Sequence, residues 1–143
     1  DVKKMETRSE LRKKIMTILY QIAVFDKNKI EYNVDDLIKE NVEIDNEFVK
    51  EIVYGTVTYK NEIDELANKY MKDWTIDRLG FTDIAILRMA IYELIYSDTP
   101  DIVVINEAIE LAKSYSDDKV VKLINGVLDK IYHEEVNKWI TKQ

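Results

Sequence analysis

The 143-residue chain contains no cysteine, one histidine, one proline and three glycines. The absence of cysteine excludes disulfides, thiolate catalysis and cysteine-ligated zinc. Because glycine and proline are typical of turns, their scarcity favours long helices over many short strands. The one histidine, His133, lies in the sequence HEEVN, which lacks the second histidine of a helical zinc-protease motif.

Other signs of catalysis are also missing. The chain has no glycine-rich phosphate loop and no serine in a nucleophile-elbow pattern. Adjacent carboxylates occur at residues 35–36 and 117–118, but in a chain with 28 acidic side chains these are expected at caps and turns. We therefore predict a binding protein with no catalytic residue, no metal and no cofactor.

Composition predicts one folded domain over residues 1–143. Apolar residues make up 46% of the chain and charged residues 34%, and this length is enough for a single core. The most apolar stretch, residues 84–96, is too short to span a bilayer and contains two charges. No apolar signal-peptide core is present at the start. We expect a soluble, cytoplasmic protein without membrane contact.

Charge is distributed unevenly. The net charge of the chain is −7, yet residues 1–14 carry six basic and three acidic side chains, a local net of +3. The remaining residues carry 15 basic and 25 acidic side chains, a net of −10. Such a chain lacks the broad basic face that wraps a nucleic-acid duplex, but it has room for a small phosphate-binding site.

Apolar residues recur at spacings of three and four along most of the chain, which predicts an all-α fold. Thr7 and Glu10 form the T-x-x-E pattern of a capping box, which predicts the start of the first helix. A short helix is expected over 34–40. Asp45 is expected to cap one long helix, whose apolar stripe continues to Tyr70.

The second half of the chain is predicted to form three more helices. Thr82 is expected to cap a helix that runs to about Tyr96 and is apolar nearly all round, as at the centre of a bundle. The next helix is expected over about 101–114. The last includes Asn125-Gly126, and we expect Gly126 to permit the close approach of a neighbouring helix.

Two charged residues interrupt the central apolar helix. Arg88 and Glu93 must be paired if they are buried, because an unpaired buried charge costs several kcal/mol, of order 3–5. We predict that Arg88 binds a carboxylate on a neighbouring helix, either Glu107 or Asp129.

Two stretches of the second half closely resemble the NusB family of bacterial transcription antitermination factors. They are DRLGFTDIAILRMAIYEL (residues 77–94) and INEAIELAKSYSDDKVVKLINGVLDKI (residues 105–131). The N-terminal RKKIMTILYQ resembles the family's arginine-bearing first helix, which ends in Leu-Tyr. The resemblance implies a bundle of about seven helices in two subdomains, with a basic first helix over 8–25 and a C-terminal subdomain over about 82–140.

The same resemblance implies a function. Members of the family bind boxA-type single-stranded RNA together with the ribosomal protein NusE. The pair joins an RNA polymerase antitermination complex that promotes processive transcription of ribosomal RNA operons. Some members are thought to self-associate, so a homodimer is a further expectation.

The family's motifs also imply roles for nine residues. Positions expected near RNA are Arg8, Arg12, Lys13, Lys14, Tyr20, Ser116, Lys119 and Leu123. Asp83 matches an acidic position at the partner-protein interface. The chain departs from the family at Ser9 and Glu10, where many relatives have arginines. Leu123 replaces a common aromatic residue, which removes a surface for base stacking.

Two other functions are compatible with the sequence. One is an adaptor that binds only proteins, including a second copy of itself. The other is an accessory domain of an RNA cytosine methyltransferase, which would need an attached catalytic domain containing a cysteine.

Overall fold

The computed structural model describes residues 5–137. In this range the chain forms seven α-helices and no β-strand, which confirms the all-α prediction. The helices are α1 (Arg8–Lys27), α2 (Val34–Asn41), α3 (Glu47–Thr58), α4 (Lys60–Tyr70), α5 (Phe81–Tyr96), α6 (Asp101–Tyr115) and α7 (Asp118–Ile131). A 3-10 turn, Ile76–Arg78, precedes α5, and a π-helical segment, Tyr132–Asn137, follows α7. The division into two subdomains stays a prediction, and residues 138–140 of the second lie outside the described range.

The central helix of the bundle is α5. It contacts α1, α3, α4, α6 and α7, and most of its residues are buried. Its sequence explains this position, because an apolar helix surface has to be covered on every side by other helices. Buried residues from all seven helices join in one hydrophobic core. Within residues 5–137, no helix combines the length and apolar character needed to cross a membrane.

Helix caps follow local hydrogen bonding. The capping box at α1 is confirmed: the Thr7 hydroxyl accepts from the Glu10 backbone N–H at 3.1 Å. Two other predicted caps are wrong. Asn46 caps α3 by accepting from the Val49 N–H, while the neighbouring Asp45 binds Lys50 instead.

The cap predicted at Thr82 of α5 is also wrong. Gly80, with extended backbone, occupies the cap position, so α5 begins before Thr82. Thr82 is thereby placed inside the first turn.

The long helix predicted from Asp45 to Tyr70 is two helices. The break lies at Tyr59, whose backbone (φ −102°, ψ 19°) leaves the helical region while its carbonyl accepts the first hydrogen bond of α4. The Tyr59 ring stacks on Tyr96 at a centroid distance of 4.1 Å. The apolar stripe runs on through the break, so its spacing could not reveal it.

Two glycines have opposite surroundings. Gly126 lies inside α7 as predicted, but a Cβ atom at this position would meet no neighbouring atom within 4 Å, so the expected close contact with another helix is wrong. The close contact occurs at Gly55 of α3, where a Cβ atom would overlap the ring of Tyr92. Gly55 therefore allows α3 and α5 to pack around that ring.

Candidate nucleic-acid interface

The beginning of α1 presents a small basic surface. Arg8 and Lys13 are exposed, and neither forms an ion pair within residues 5–137. The Arg8 guanidinium lies 4.5 Å from the centroid of the Phe48 ring, which orients it along the bundle surface. Lys14 differs because its Nζ binds Glu6 at 2.6 Å. Lys3 and Lys4, which contributed to the predicted basic end, lie outside the described residues.

Arg12 is a core residue, which corrects the expectation that it contacts RNA. Its exposed fraction is 2%, and its Nε and Nη2 donate to the two carboxylate oxygens of Glu93 at 2.9 and 2.8 Å. Burial disfavours the charged guanidinium, but the hydrogen bond and charge of Glu93 outweigh this and raise the pKa of Arg12. In this arrangement the guanidinium has almost no surface to offer a phosphate.

Arg88 also has a different partner from those predicted. Its guanidinium donates to both carboxylate oxygens of Asp64 on α4, each at 2.9 Å. Glu107 instead accepts from the Ser9 hydroxyl at 2.6 Å, and Asp129 lies 3.3 Å from the His133 ring nitrogen. The spacing along α5 gives the direction in which Arg88 points, but it does not say which helix lies there.

Tyr20 lies further along α1, at the opposite end of α5 from Arg12. Tyr20 is 41% exposed, and its ring meets Phe81 edge to face at a centroid distance of 6.0 Å. Lys27 lies 5.8 Å from the centroid of the same Phe81 ring. An exposed aromatic ring near a cation is the combination on which single-stranded bases stack.

The turn before α7 joins the residues predicted to contact RNA and protein. The Ser116 hydroxyl donates a hydrogen bond to the Asp83 carboxylate at the first turn of α5. Asp83, Lys119 and Leu123 line an open cleft of about 510 Å³. The structure therefore brings together four of the nine predicted residues, from two separate stretches of the chain.

Sequence reasoning missed three residues that line this cleft: Trp74, Arg78 and Lys122. Trp74 is 44% exposed, and both basic residues are exposed. In the sequence, DWTIDRLG (residues 73–80) lies between two predicted helices. A tryptophan four residues before an arginine, in a segment without apolar periodicity, was the signal that could have identified it.

The start of α1 and the cleft are separated along α5. Glu93, which binds Arg12, lies ten residues from Asp83, or about 15 Å along a helix. Tyr20 contacts the start of α5 and therefore lies at the same end of the bundle as the cleft. A ligand that touched both regions would have to be extended, as a single strand of several nucleotides is.

A model of the NusB family matches residues 9–133. The chain belongs to the NusB family. Transcription antitermination protein NusB of Staphylococcus aureus (strain JH9) is 44% identical over 126 residues, which cover 87% of this chain and 98% of that protein. T. maritima NusB superposes with a TM-score of 0.80 at 29% identity, covering 98% of this chain and all of the other.

A solved complex is also similar. It contains the antitermination factors NusB and NusE with double-stranded RNA, and the matched chain has a TM-score of 0.73 and 34% identity. The match covers 88% of this chain and 96% of that chain.

Membership in the NusB family does not depend on which side chains contact RNA here. Seven of the eight positions expected to be near RNA are at least partly exposed, and Arg12 alone is buried. Lys14 and Ser116 are engaged with Glu6 and Asp83, so they would have to exchange these partners to bind a ligand.

Proposed function

We propose that this chain is a transcription antitermination factor that binds boxA-type single-stranded RNA together with NusE. The observation that carries the proposal is the similarity to a NusB solved with NusE and RNA, over 88% of this chain. The protein acts by binding, without catalysis. The proposed setting is the bacterial cytoplasm, in an antitermination complex with RNA polymerase on ribosomal RNA operons.

Charge favours single-stranded RNA over a duplex as the ligand of this chain, although the related complex contains double-stranded RNA. The net charge of the chain is −7, and the described cations without an ion pair include Arg8 and Lys13 at the start of α1 and Arg78, Lys119 and Lys122 around the cleft. A duplex requires a broad basic surface. Exposed Tyr20 supplies an aromatic surface that only an unstacked base can use.

The partner protein gives a role to the acidic surface. NusE is a basic ribosomal protein, and charge complementarity with an acidic bundle would speed their association. Asp83, the proposed contact to NusE, is hydrogen-bonded to Ser116, the proposed contact to RNA. The two ligands would then meet along one border, which accounts for joint binding.

The S. aureus relative favours an independent factor over the accessory domain of a methyltransferase. Its match to this chain covers 98% of its own length, so that protein consists of this domain alone. A homodimer that covers the RNA-binding surface is compatible with the proposal, and sizing at two protein concentrations would detect it.

The test is fluorescence anisotropy of a labelled boxA-type RNA, titrated with this protein with and without equimolar NusE at two salt concentrations. We expect weak binding alone and much tighter binding with NusE. Arg8→Ala and Lys13→Ala should each weaken binding and lower its salt slope by about 0.7 per lost phosphate contact. Lys39→Ala, at an exposed position near the end of α2, is the matched control.

One result of the anisotropy titration would contradict the proposed function. A folded sample that binds no RNA in either condition would contradict the proposal and leave the protein-binding adaptor as the better hypothesis. Arg12→Ala is unsuitable for this test because Arg12 is part of the core.

A further inference from the structure

We propose that a narrow pocket beside Thr56 binds two ordered water molecules, and that the inner one is hydrogen-bonded to the Thr56 hydroxyl. The pocket, called the Thr56 pocket below, lies where the second half of α1 passes α3 and α5. Its lining residues are Leu19, Ile22, Asp26, Tyr32, Thr56, Val57, Lys60 and Arg88. The inference is independent of the proposed function, and none of these residues was proposed to contact RNA.

Thr56 is the residue that points to a bound molecule. It is 1% exposed, and among residues 5–137 its hydroxyl is the one buried side-chain polar atom without a hydrogen-bond partner. Buried hydroxyls nearly always bond to protein or to ordered water, because a hydroxyl that loses its solvent without replacement destabilises the fold. We therefore expect a polar group in contact with it.

Helix α3 itself does not supply this bond. A helical threonine can donate to the carbonyl one turn earlier, and Thr17 of α1 does so to the Lys13 carbonyl at 3.0 Å. Thr56 makes no such bond to the carbonyl of Ile52. Thr56 lines the pocket instead, so the missing partner is expected there.

The size of the Thr56 pocket selects water as the ligand. Its volume is about 60 Å³, and one water molecule takes about 30 Å³ in the liquid, so two fit. Sites for nucleotides and other organic ligands are typically roughly 300–1,000 Å³, which excludes such molecules. The side chains of Asp26 and Lys60 are partly exposed, so the pocket reaches the solvent from which water enters.

Other polar groups in the pocket have hydrogen-bonding capacity left for water. The Nζ atom of Lys60 binds Asp26 at 3.3 Å, and Tyr32 is also hydrogen-bonded to Asp26. An ammonium group has three donors and a carboxylate about four acceptor sites, so these contacts do not exhaust either group. Two waters would thus have partners near Asp26 and Lys60 as well as at Thr56, and a buried water typically makes about three hydrogen bonds.

The charges of the pocket favour a neutral ligand over an ion. Asp26 pairs with Lys60, and Asp64 binds Arg88 through two hydrogen bonds of 2.9 Å. A cation would meet one lining carboxylate against two lining cations, and an anion would compete with carboxylates that already hold both cations. No cluster of three or more potential metal ligands of the His, Cys, Asp or Glu type occurs within residues 5–137.

The sign of the effect of Thr56→Val tests the hydrogen bond. Valine keeps the shape of threonine but lacks the hydroxyl. If water satisfies Thr56, the substitution removes that bond, and the melting temperature should fall by about 3 °C. An unpartnered hydroxyl predicts the opposite, because its removal would end a desolvation cost. A melting temperature equal to that of the parent protein, or higher, therefore overturns the proposal.

Thr58→Val is the matched control. Thr58 lies on the same helix, two residues further on, but it is exposed. Its replacement should change the melting temperature by no more than about 1.5 °C. A fall as large as that of Thr56→Val would assign the effect to the helix rather than to the pocket, and would also overturn the proposal.

A high-resolution crystal structure of the parent protein locates the waters. We expect one water within about 3 Å of the Thr56 Oγ1 atom and a second one nearer to Asp26. A dry pocket, with the hydroxyl turned to the carbonyl of Ile52, overturns the proposal. An anomalous signal in the pocket after soaking in bromide would identify an anion site and likewise overturn the assignment to water.

Nuclear Overhauser spectroscopy tests the same assignment in solution. Slowly exchanging water gives cross-peaks to nearby protein protons that differ in sign from those of surface hydration water. The methyl groups of Val57, which line the pocket, should show such cross-peaks. Those of Val53, which is fully buried one turn earlier on α3, should show none. Absence of the cross-peak at Val57, or its equal presence at Val53, contradicts a water site in the Thr56 pocket.

Discussion

Arg12 of α1 and Glu93 of α5 form a bidentate ion pair in the interior of the bundle, with side chains that are 3% and 1% exposed. The ring of Phe48, at 5.1 Å from the guanidinium, covers the pair from the side of α3. Two charges at this depth fix the register of α1 against α5, since sliding either helix would separate them.

Removing one partner of this pair should be strongly destabilising. Arg12→Ala leaves the carboxylate of Glu93 buried without compensation, and we expect the free energy of unfolding to fall by about 3–5 kcal/mol. Arg8→Ala, at the exposed position one turn earlier, should change it by no more than about 0.5 kcal/mol. Urea denaturation followed by circular dichroism measures both. Similar values for the two variants would contradict a core role for Arg12.

Replacing both partners should be much less harmful than replacing one. In Arg12→Met/Glu93→Leu the buried charges disappear together, and apolar side chains of similar length fill the space. The free energy of unfolding of the double variant should therefore lie no more than about 1–2 kcal/mol below that of the parent protein, or should exceed it. The same urea denaturation compares the single and double variants. A double variant as unstable as Arg12→Ala would mean that the pair itself, rather than the avoidance of a lone charge, stabilises the bundle.

The two helical glycines should respond to alanine in opposite directions. A methyl group at Gly55 overlaps the ring of Tyr92, so Gly55→Ala should destabilise the protein by about 1–3 kcal/mol. Gly126→Ala meets open space inside α7 and should stabilise the protein by about 1 kcal/mol. Differential scanning calorimetry of both variants tests this pair. A stabilising Gly55→Ala would show that α3 can move away from Tyr92 without cost.

Stability at alkaline pH should depend on Tyr32. Burial, together with a hydrogen bond to Asp26, raises the pKa of Tyr32 to about 12, above a value near 10 in the unfolded chain. Because the folded state holds this proton more tightly, the contribution of Tyr32 is complete below pH 10 and is lost as the pH rises towards 12. Tyr32→Phe keeps the ring that stacks on Phe25 but removes the titrating group.

The measurement is the difference in unfolding free energy between the parent and Tyr32→Phe, determined by urea denaturation at several pH values from 9 to 12. The advantage of the parent should shrink over this interval. Taking the difference cancels the titration of lysines, which lose their charge in the same range. A difference that is constant with pH would show that Tyr32 titrates alike in both states.

The sequence was sufficient for those features that depend on local spacing. The capping box of Thr7 and Glu10 involves neighbours in the chain, and α5 had to be central because its apolar residues cover its whole circumference. Asn125-Gly126 stayed helical because the surrounding apolar residues keep one phase through α7. Short-range hydrogen bonds and periodicity determine all three.

Features that depend on the arrangement of helices could not be predicted. Arg88 was expected to bind Glu107 or Asp129, but α4 brings Asp64 to it. Arg12 was expected near RNA, but it is buried in the bundle. A buried Glu93 requires a cation as its partner. Arg12 lies on the α1 face that also carries the buried Ile15 and Leu19, which is consistent with the observed pair. The sequence alone did not identify Arg12 as that partner.

The candidate site was also predictable only in part from the sequence. Resemblance to the family placed Lys119 and Leu123 near RNA, but only the fold shows that they share a cleft with Trp74 and Arg78. These residues are more than 40 positions apart in the chain. No local pattern connects them, because their proximity results from the packing of α5 against α7.

The hydrogen bond between Ser116 and Asp83 has a thermodynamic consequence. Two ligands that bind one protein always form a closed thermodynamic cycle, and here this bond joins their proposed contacts. The factor by which the protein partner tightens RNA binding must then equal the factor by which RNA tightens partner binding. Ser116→Ala breaks the bond from one side only, yet it would have to change both factors equally. The two surfaces would then behave as one linked system, in which neither ligand can be assigned the role of the regulator.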